Sequence, residues 1–223
     1  MYCKHLYPFV LYNISIKKLY SFNTLRALYS IETPSNSLVS EIGIQRDKEI
    51  SRNIWKNSKY KYIAQLESNN VGNVGENFLQ QICNYNDITA TIDGSKTKGK
   101  CSGDGRIKNR SVEIKTARLG SRIMSFQHEL GQRPWEAEFI AFVDISPTSV
   151  YLSLFPNFTE EHYKTKKKCA PFFPIKNVTR RNGTGAFKLD TSPKINEINP
   201  NCLKIDDSST FEEIGAFIHR IIT

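Results

Sequence analysis

The chain has 223 residues, of which 39% are hydrophobic and 24% are charged, a composition that supports a folded core and excludes disordered and collagen-like proteins. Lysine and arginine number 31 against 22 acidic residues. The resulting net charge of +9 favours a polyanionic partner such as nucleic acid, although ribosomal and membrane-surface proteins share this bias. The five cysteines form no C-x-x-C pair, so we expect a reducing compartment rather than a disulfide framework or a zinc finger.

The N-terminal segment is basic and contains no acidic residue before Glu32. Its longest apolar run, residues 6–16, is interrupted by Pro8 and is shorter than the roughly 20 residues of a membrane-spanning helix. We therefore predict a cytoplasmic protein without a membrane partner, in which residues 1–36 are an extension used as an arm, for dimerisation or for targeting. A transit peptide over residues 1–31, directing the chain to an organelle, is the alternative.

Two helices are predicted before the middle of the chain. Ile50 and Ile54 have helical spacing and indicate a helix that ends near Asn57, after a polar break over residues 33–37. The second helix covers residues 73–84. Its predicted buried stripe consists of Val74, Phe78 and Ile82.

Short β-prone runs bounded by Gly, Pro, Asn or Ser follow these helices. They cover residues 88–92, 101–107, 111–117, 138–145, 149–155 and 185–190. A last helix begins at Thr210, where Glu213 completes a T-x-x-E capping box. Its predicted buried residues are Ile214, Phe217, Ile218 and Ile221. The pattern predicts an α/β fold with a central mixed β-sheet flanked by helices.

Residues 101–117 form the predicted hairpin that concentrates the chemistry. In its second strand, alternation places Glu113 and Lys115 on one face. Val112 and Ile114 then point into the core. If Asn109 and Arg110 form a two-residue turn, Asp104 lies opposite Lys115 and Arg106 lies opposite Glu113. All of these polar groups then share one face, while a three-residue loop would shift the register.

Two carboxylates and a lysine around one point suit phosphodiester hydrolysis. Mg²⁺ prefers oxygen ligands and is held by one or two carboxylates while it keeps several waters. We predict Asp104 and Glu113 as the Mg²⁺ ligands, with the Ile114 carbonyl as an additional candidate. Lys115 is expected to position or deprotonate the attacking water and to offset charge on the phosphate.

Asp104 followed by Glu113-Ile114-Lys115 on the next strand resembles the PD-(D/E)xK phosphodiesterase superfamily, which includes many type II restriction endonucleases. The resemblance covers about residues 73–155 and implies a restriction endonuclease-like core, with residues 37–223 as a nuclease domain. It also implies a helix that supplies a further acidic residue, for which Glu76 is the candidate. A strand–helix–strand continuation is implied over residues 126–128 and 139–145.

Two features of this region leave alternatives open. Gly103 stands before Asp104 where the family often has proline. Glu76 also lies three residues after Asn73, the spacing of a helix N-cap with a reciprocal Glu, so it has a catalytic role, a capping role or both. If the protein has no catalytic activity, Asp104, Glu113 and Lys115 are surface ions of a nucleic-acid-binding module.

Polar residues after the catalytic strand are the best candidates for contacts with DNA, because the chain there passes near the substrate. The candidates are Arg118, Arg122, Gln127, His128 and Arg133. Gln and Arg side chains read purine edges in the major groove. The resemblance makes Gln127 the strongest candidate, because in related nucleases a Gln after the E-x-K strand is often part of the active site.

The sequence therefore predicts a Mg²⁺-dependent endonuclease that cuts double-stranded DNA. The resemblance favours sequence-specific, restriction-type cleavage, and a homodimer is expected because two-strand cleavage needs one active site per strand. A nuclease that resolves junctions, repairs DNA or acts in homing is the alternative with the same site. The alternative of another class is the catalytically inactive nucleic-acid-binding module.

Overall fold

The computed structural model describes residues 34–93, 103–130, 137–157, 177–180 and 187–223. The predictions for residues 1–31 and for Arg133 lie outside this part of the chain. The chain divides into two units, with the division between Arg52 and Asn53. None of the helices in the described ranges is long and apolar enough to cross a membrane.

The described part of the first unit contains one helix, α1, over Pro34–Ser51. The helix predicted around Ile50 and Ile54 therefore ends earlier than expected, and the predicted polar break and the boundary at residue 36 lie inside α1. Pro34 is compatible with the helix start, since proline lacks a backbone N–H and is well tolerated in the first turn of a helix. What reads as a polar break is a helix start.

The second unit combines helices with nine strands in its described residues. The helical elements are a 3-10 helix over Lys61–Gln65, α2 over Ser68–Tyr85, α3 over Pro193–Glu197 and α4 over Phe211–Ile221. The first strands are β1 over Ala90–Ile92, β2 over Gly105–Ile107, β3 over Arg110–Arg118 and β4 over Phe126–Leu130. The others are β5 over Phe139–Ile145, β6 over Val150–Pro156, β7 over Asn177–Arg180, β8 over Phe187–Thr191 and β9 over Cys202–Ile205.

The strands form two sheets. The six-stranded sheet has the order β1-β2-β3-β5-β6-β9, and the second sheet has the order β4-β8-β7. Strands β3 and β5 run parallel, while the other pairs are antiparallel. Every residue of β5 is buried, as expected for a central strand covered on both faces. The predicted α/β fold with a mixed sheet flanked by helices is confirmed, and the second sheet is an addition to it.

Helix α2 packs on β3 through a face that the sequence did not identify. Its buried residues are Val71, Gly75, Leu79, Ile82 and Cys83. Of the predicted stripe, only Ile82 is buried, whereas Phe78 is partly buried and Val74 is 37% exposed. The predicted stripe was wrong because Gly75, which has no apolar side chain, occupies the centre of the buried face.

The absence of a side chain at Gly75 sets the distance between α2 and the sheet. A Cβ atom at Gly75 would lie 2.0 Å from Thr116 Oγ1, far inside van der Waals contact. By contrast, a Cβ atom at Gly72, one turn earlier in the same helix, would meet nothing within 4 Å. Direct contact of the helix backbone with β3 brings the first half of α2 beside the strand that carries Glu113 and Lys115.

The two glycines give a matched test of this packing. We expect Gly75→Ala to destabilise the protein by about 1–3 kcal/mol, because the added methyl group forces α2 away from β3. Gly72→Ala should stabilise it by up to about 1 kcal/mol, since alanine has the higher helix propensity and the space is open. Urea unfolding followed by circular dichroism measures both changes, and equal stabilities of the two variants would contradict the close packing.

The final helix has the predicted start. Thr210 Oγ1 accepts a hydrogen bond from the Glu213 N–H at 3.2 Å, and the Glu213 carboxylate accepts one from the Thr210 N–H at 3.0 Å. This reciprocal pair satisfies two backbone donors that the first turn leaves without partners, and it confirms the capping box. The predicted buried residues Ile214, Phe217 and Ile218 belong to the core, and Ile221 packs against it.

Both cysteines in the described ranges, Cys83 and Cys202, are free thiols. Burial raises the pKa of the Cys83 thiol to about 11 and that of Cys202 to about 12. These two cysteines are therefore protonated near neutral pH and serve as packing residues rather than nucleophiles.

Candidate active site

The hairpin of β2 and β3 turns one residue earlier than predicted. Lys108 and Asn109 both have positive φ, at 50° and 64°, as in a type I′ turn. Arg106 therefore pairs with Ser111, and the same register places Asp104 opposite Glu113. The predicted pairs Asp104–Lys115 and Arg106–Glu113 are wrong. The observed partner of Asp104 lies two residues from the predicted one, and side chains two residues apart on a strand point to the same face. Asp104 therefore still shares a face with Glu113.

The regular pairing between β2 and β3 stops at Asp104, and a side chain continues it. The Asp104 N–H donates to the Val112 carbonyl at 2.8 Å. One step further along β3, the Ile114 N–H donates to Asp104 Oδ2, also at 2.8 Å. The carboxylate thus occupies the place where the next residue of a neighbouring strand would accept a hydrogen bond.

Beyond this point one edge of β3 is open within the described part of the chain. Successive residues of a strand direct their backbone groups to opposite sides. The Leu119 N–H donates to the Ile145 carbonyl on the β5 side at 2.9 Å, so the even-numbered residues of β3 direct their backbone groups away from β5. The Ile114 carbonyl therefore faces the same side as Asp104. This gap in the sheet is where the candidate site lies.

Gly103 makes the turn into Asp104. Its φ is +84°, and a Cβ atom there would lie 2.4 Å from the Val112 carbonyl oxygen. Proline has φ fixed near about −65°, so it cannot take this conformation. The glycine that departs from the family pattern is therefore required by the way in which this chain delivers Asp104 to the end of the hairpin.

Replacing Gly103 tests this geometry. We expect Gly103→Ala to cost about 1–3 kcal/mol of stability, because the left-handed backbone and the contact with Val112 both disfavour a side chain. Gly120→Ala is the matched control, since its Cβ would make ordinary contacts, 3.5 Å from Ser125 O and 3.7 Å from Ile123 Cγ1. Thermal unfolding compares the two variants, and an unchanged melting temperature for Gly103→Ala would contradict the account.

The gap opens into a cleft of about 1110 Å³. One wall is the first half of α2, with Ser68, Asn69, Gly72, Asn73 and Glu76. The floor is β3 with Asp104, and it includes Ile114, Lys115, Thr116, Ala117 and Arg118. The other wall combines the loop of residues 120–125 with the second sheet, and it includes Arg122, Gln127, His128, Glu129 and Lys188.

Asp104, Glu113 and Lys115 form a cluster of charges, in which Asp104 and Lys115 line the cleft floor and Glu113 lies buried opposite Asp104 in the strand register. Asp104 and Glu113 are only 5% and 6% exposed, whereas the Lys115 side chain is 24% exposed. Lys115 Nζ donates to Glu113 Oε1. Burial of a charge is costly without a partner, and the single ammonium offsets only one of the two carboxylates. The cluster therefore has a formal charge of −1 and is suited to a small cation.

These two carboxylates are the candidate metal ligands. In the described ranges, no group of three or more His, Cys, Asp and Glu side chains is arranged to hold a metal ion. A set of two carboxylates with an open face fits Mg²⁺, which is commonly bound through one or two carboxylates plus waters. It does not fit zinc, whose sites use three or four nitrogen, sulfur or carboxylate ligands.

Glu76 is half-buried and lines the cleft on the wall formed by α2. It lies in the third turn of α2, whose N-cap residue is Glu67. The capping interpretation, which required a helix start at Asn73, is therefore wrong. Glu76 lines the cleft from α2 and remains the candidate for the additional acidic residue of the site.

The predicted DNA-contacting residues separate into two groups. Arg122 and Gln127 are exposed on the cleft wall, where a contact with a ligand is open to them. Arg118 has a structural contact instead: its guanidinium donates to the carbonyls of Ile63 and Leu66 at 2.6 and 2.8 Å and holds the segment before α2.

His128, a predicted DNA contact, belongs to the cleft wall, but its side chain is fully buried and is held by contacts inside the protein. Its Nε2 lies 2.7 Å from Asp144 Oδ1, and its ring packs 4.5 Å from the Phe142 ring between centroids. Asp144 Oδ2 accepts from Asn196 Nδ2 at 2.8 Å, and Asn196 Oδ1 accepts from Thr191 at 2.6 Å. This chain of bonds joins the second sheet to the central sheet.

Residues 126–130 form strand β4, which the sequence analysis missed, and not the implied start of a helix between β3 and β5. Alternation along this segment, with Phe126, His128 and Leu130 inward, is the signal that could have identified it. Recognising the strand would also have identified Glu129 as a wall residue. Lys188 belongs to the cleft wall because β8 pairs with β4, and no feature of the local sequence predicts that pairing.

Comparison with known proteins gives no match to a family model, to a curated protein or to a solved structure.

Proposed function

We propose that this protein is a Mg²⁺-dependent deoxyribonuclease of the PD-(D/E)xK type that hydrolyses phosphodiester bonds of double-stranded DNA. The supporting observation is a cluster in which Asp104 and Lys115 line the floor of a cleft, and the buried Glu113 accepts a hydrogen bond from Lys115. The strand order around it, an antiparallel hairpin followed by a parallel strand, agrees with a restriction endonuclease-like core. The net charge of +9 supports a polyanionic substrate.

Asp104 and Glu113 would hold the metal ion in this proposal. Mg²⁺, when bound, supplies Lewis-acid stabilisation of charge on the phosphate oxygens. The bond from the Ile114 N–H to Oδ2 fixes the orientation of the Asp104 carboxylate. The Ile114 carbonyl faces the same open edge and is suited to orient a water molecule beside the carboxylates.

Lys115 stabilises negative charge that develops on the phosphate. An ammonium group has three N–H donors and no acceptor, so in its charged form it positions a nucleophile and neutralises charge rather than removing a proton. Its contact with Glu113 holds it at the edge of the carboxylate pair. Glu76, on the wall formed by α2, would accept a hydrogen bond from a water molecule in the cleft.

Double-stranded cleavage further suggests a homodimer. One cleft contains one Asp104–Glu113–Lys115 cluster, whereas two strands of opposite polarity require two phosphodiester cleavages. A two-fold dimer presents one site to each strand and matches a symmetric recognition sequence. A monomeric protein that only nicks DNA would contradict this part of the proposal.

The role of Lys115 is tested by substitution. We expect Lys115→Ala to reduce the cleavage rate at least about 100-fold, because a preorganised charge at the reacting phosphate contributes roughly that much. DNA binding, measured in the presence of chelator, should remain close to that of the unmodified protein. The matched control is Lys204→Ala on β9, an exposed strand lysine outside the cleft, which should cleave normally. Unchanged cleavage by Lys115→Ala would contradict the assignment.

The carboxylates are tested through the metal requirement. Asp104→Asn removes a negative charge but retains an oxygen that can accept from the Ile114 N–H, so the fold should be preserved. We expect a lower maximal rate and a higher Mg²⁺ concentration for half-maximal cleavage of plasmid DNA. A variant with the normal metal dependence would show that Asp104 is not a ligand. Salt-sensitive DNA binding without cleavage by any variant would instead favour the binding module.

A further inference from the structure

The wall of the cleft formed by β4 and β8 presents a polar surface that the proposed chemistry does not use. Gln127 and Glu129 point outward from β4, and Lys188 lies directly opposite Glu129 on β8. All three line the same cleft as Asp104 and Lys115. Alternation along β4 directs the intervening residue, His128, into the protein interior. We name the outward surface of Gln127, Glu129 and Lys188 the sheet face.

The charges of the sheet face do not suit phosphate binding. Glu129 and Lys188 are of opposite sign and Gln127 is neutral, while Asp190, which pairs with Gln127, adds a carboxylate on the same side of β8, so this surface has no excess of positive charge although the whole chain has +9. A carboxylate close to a phosphate would weaken binding of DNA. Amide and carboxylate groups instead match the amino groups of base edges, because Gln pairs with adenine in two hydrogen bonds and Glu accepts from cytosine N4.

The sheet face is also held rigidly, as selective hydrogen bonding requires. On the inward side of β4, Phe126 and Leu130 have no exposed surface, and His128 is bonded to Asp144. On the same side of β8, Thr191 bonds to Asn196, which in turn donates to Asp144. Both strands are therefore tied to the central sheet that holds the catalytic cluster, and the distance from the sheet face to the cluster is set by buried contacts.

The dimensions agree with the major groove. Neighbouring strands lie about 4.8 Å apart, and the groove is about 12 Å wide, so β4 and β8 can enter it side by side. Residues two apart on a strand are separated by about 7 Å, which corresponds to roughly two base-pair steps. Gln127 and Glu129 would then contact bases about two positions apart.

We propose that the sheet face reads base edges in the major groove and sets the sequence preference of the protein, with Gln127 selecting adenine and Glu129 selecting cytosine. This inference rests on the proposed function for the identity of the ligand, double-stranded DNA. His128 is a positioning residue in it, since its imidazole contacts Asp144 rather than the substrate.

Selection of sequences from a randomised duplex pool tests the proposal without depending on cleavage. The full-length Lys115→Ala protein is used as the binding background, and bound duplexes are sequenced. We expect an enriched motif, and we expect Gln127→Ala in this background to reduce the preference at one position by about tenfold. Glu129→Gln should change the preference about two positions away. Gln81→Ala, an exposed glutamine of α2 outside the cleft, is the matched control and should leave the motif unchanged.

Arg122 separates base reading from phosphate binding in the same experiment. Arg122→Ala should weaken binding to all duplexes alike and reduce the salt dependence of affinity by about one ion, while the motif persists. Absence of any enriched motif, or a motif unchanged in both Gln127→Ala and Glu129→Gln, would overturn the inference even if the protein cleaves DNA. An enriched motif that depends on these residues, in a protein that does not cleave, would support the inference and refute the proposed nuclease.

Discussion

The hydrogen bond from the Ile114 N–H to the Asp104 carboxylate is the interaction on which the candidate site depends. It ends the pairing of β2 with β3 and replaces a backbone acceptor by a charged side chain. Gly103 is essential to this exchange, because its positive φ turns the chain so that the Asp104 carboxylate faces β3. The same bond fixes one carboxylate beside Glu113, exposes the strand edge and creates the floor of the cleft.

The two walls of the cleft are held by different forces. Helix α2 is positioned by direct contact of Gly75 with Thr116, which packs a helix backbone against a strand. The second sheet is positioned by the buried bonds that connect His128, Asp144 and Asn196. Breaking one partner of such a buried polar pair is costly, so this arrangement favours a cleft of fixed width over one that closes on its ligand.

Several features could be predicted from local sequence. Alternation identified Val112 and Ile114 as core residues, and the T-x-x-E pattern located the start of α4 at Thr210. The hairpin register could not be derived, because Asn109 fits a turn with either neighbour, and the observed turn is accompanied by contacts with β1 and by the bond from the Lys108 N–H to Thr89 O, which local sequence does not reveal. The buried role of His128 also escaped prediction, because it depends on Asp144 and Asn196, which are distant in sequence.

The central claim is that Asp104, Glu113 and Lys115 form a metal-dependent hydrolytic site. The most direct measurement is incubation of the purified full-length protein with supercoiled plasmid, with Mg²⁺ and with chelator, followed by quantification of nicked and linear DNA. If the three residues form such a site, we expect cleavage that requires Mg²⁺ and leaves a linear product from paired cuts. Cleavage that persists unchanged in chelator, or intact plasmid at every Mg²⁺ concentration, would contradict it.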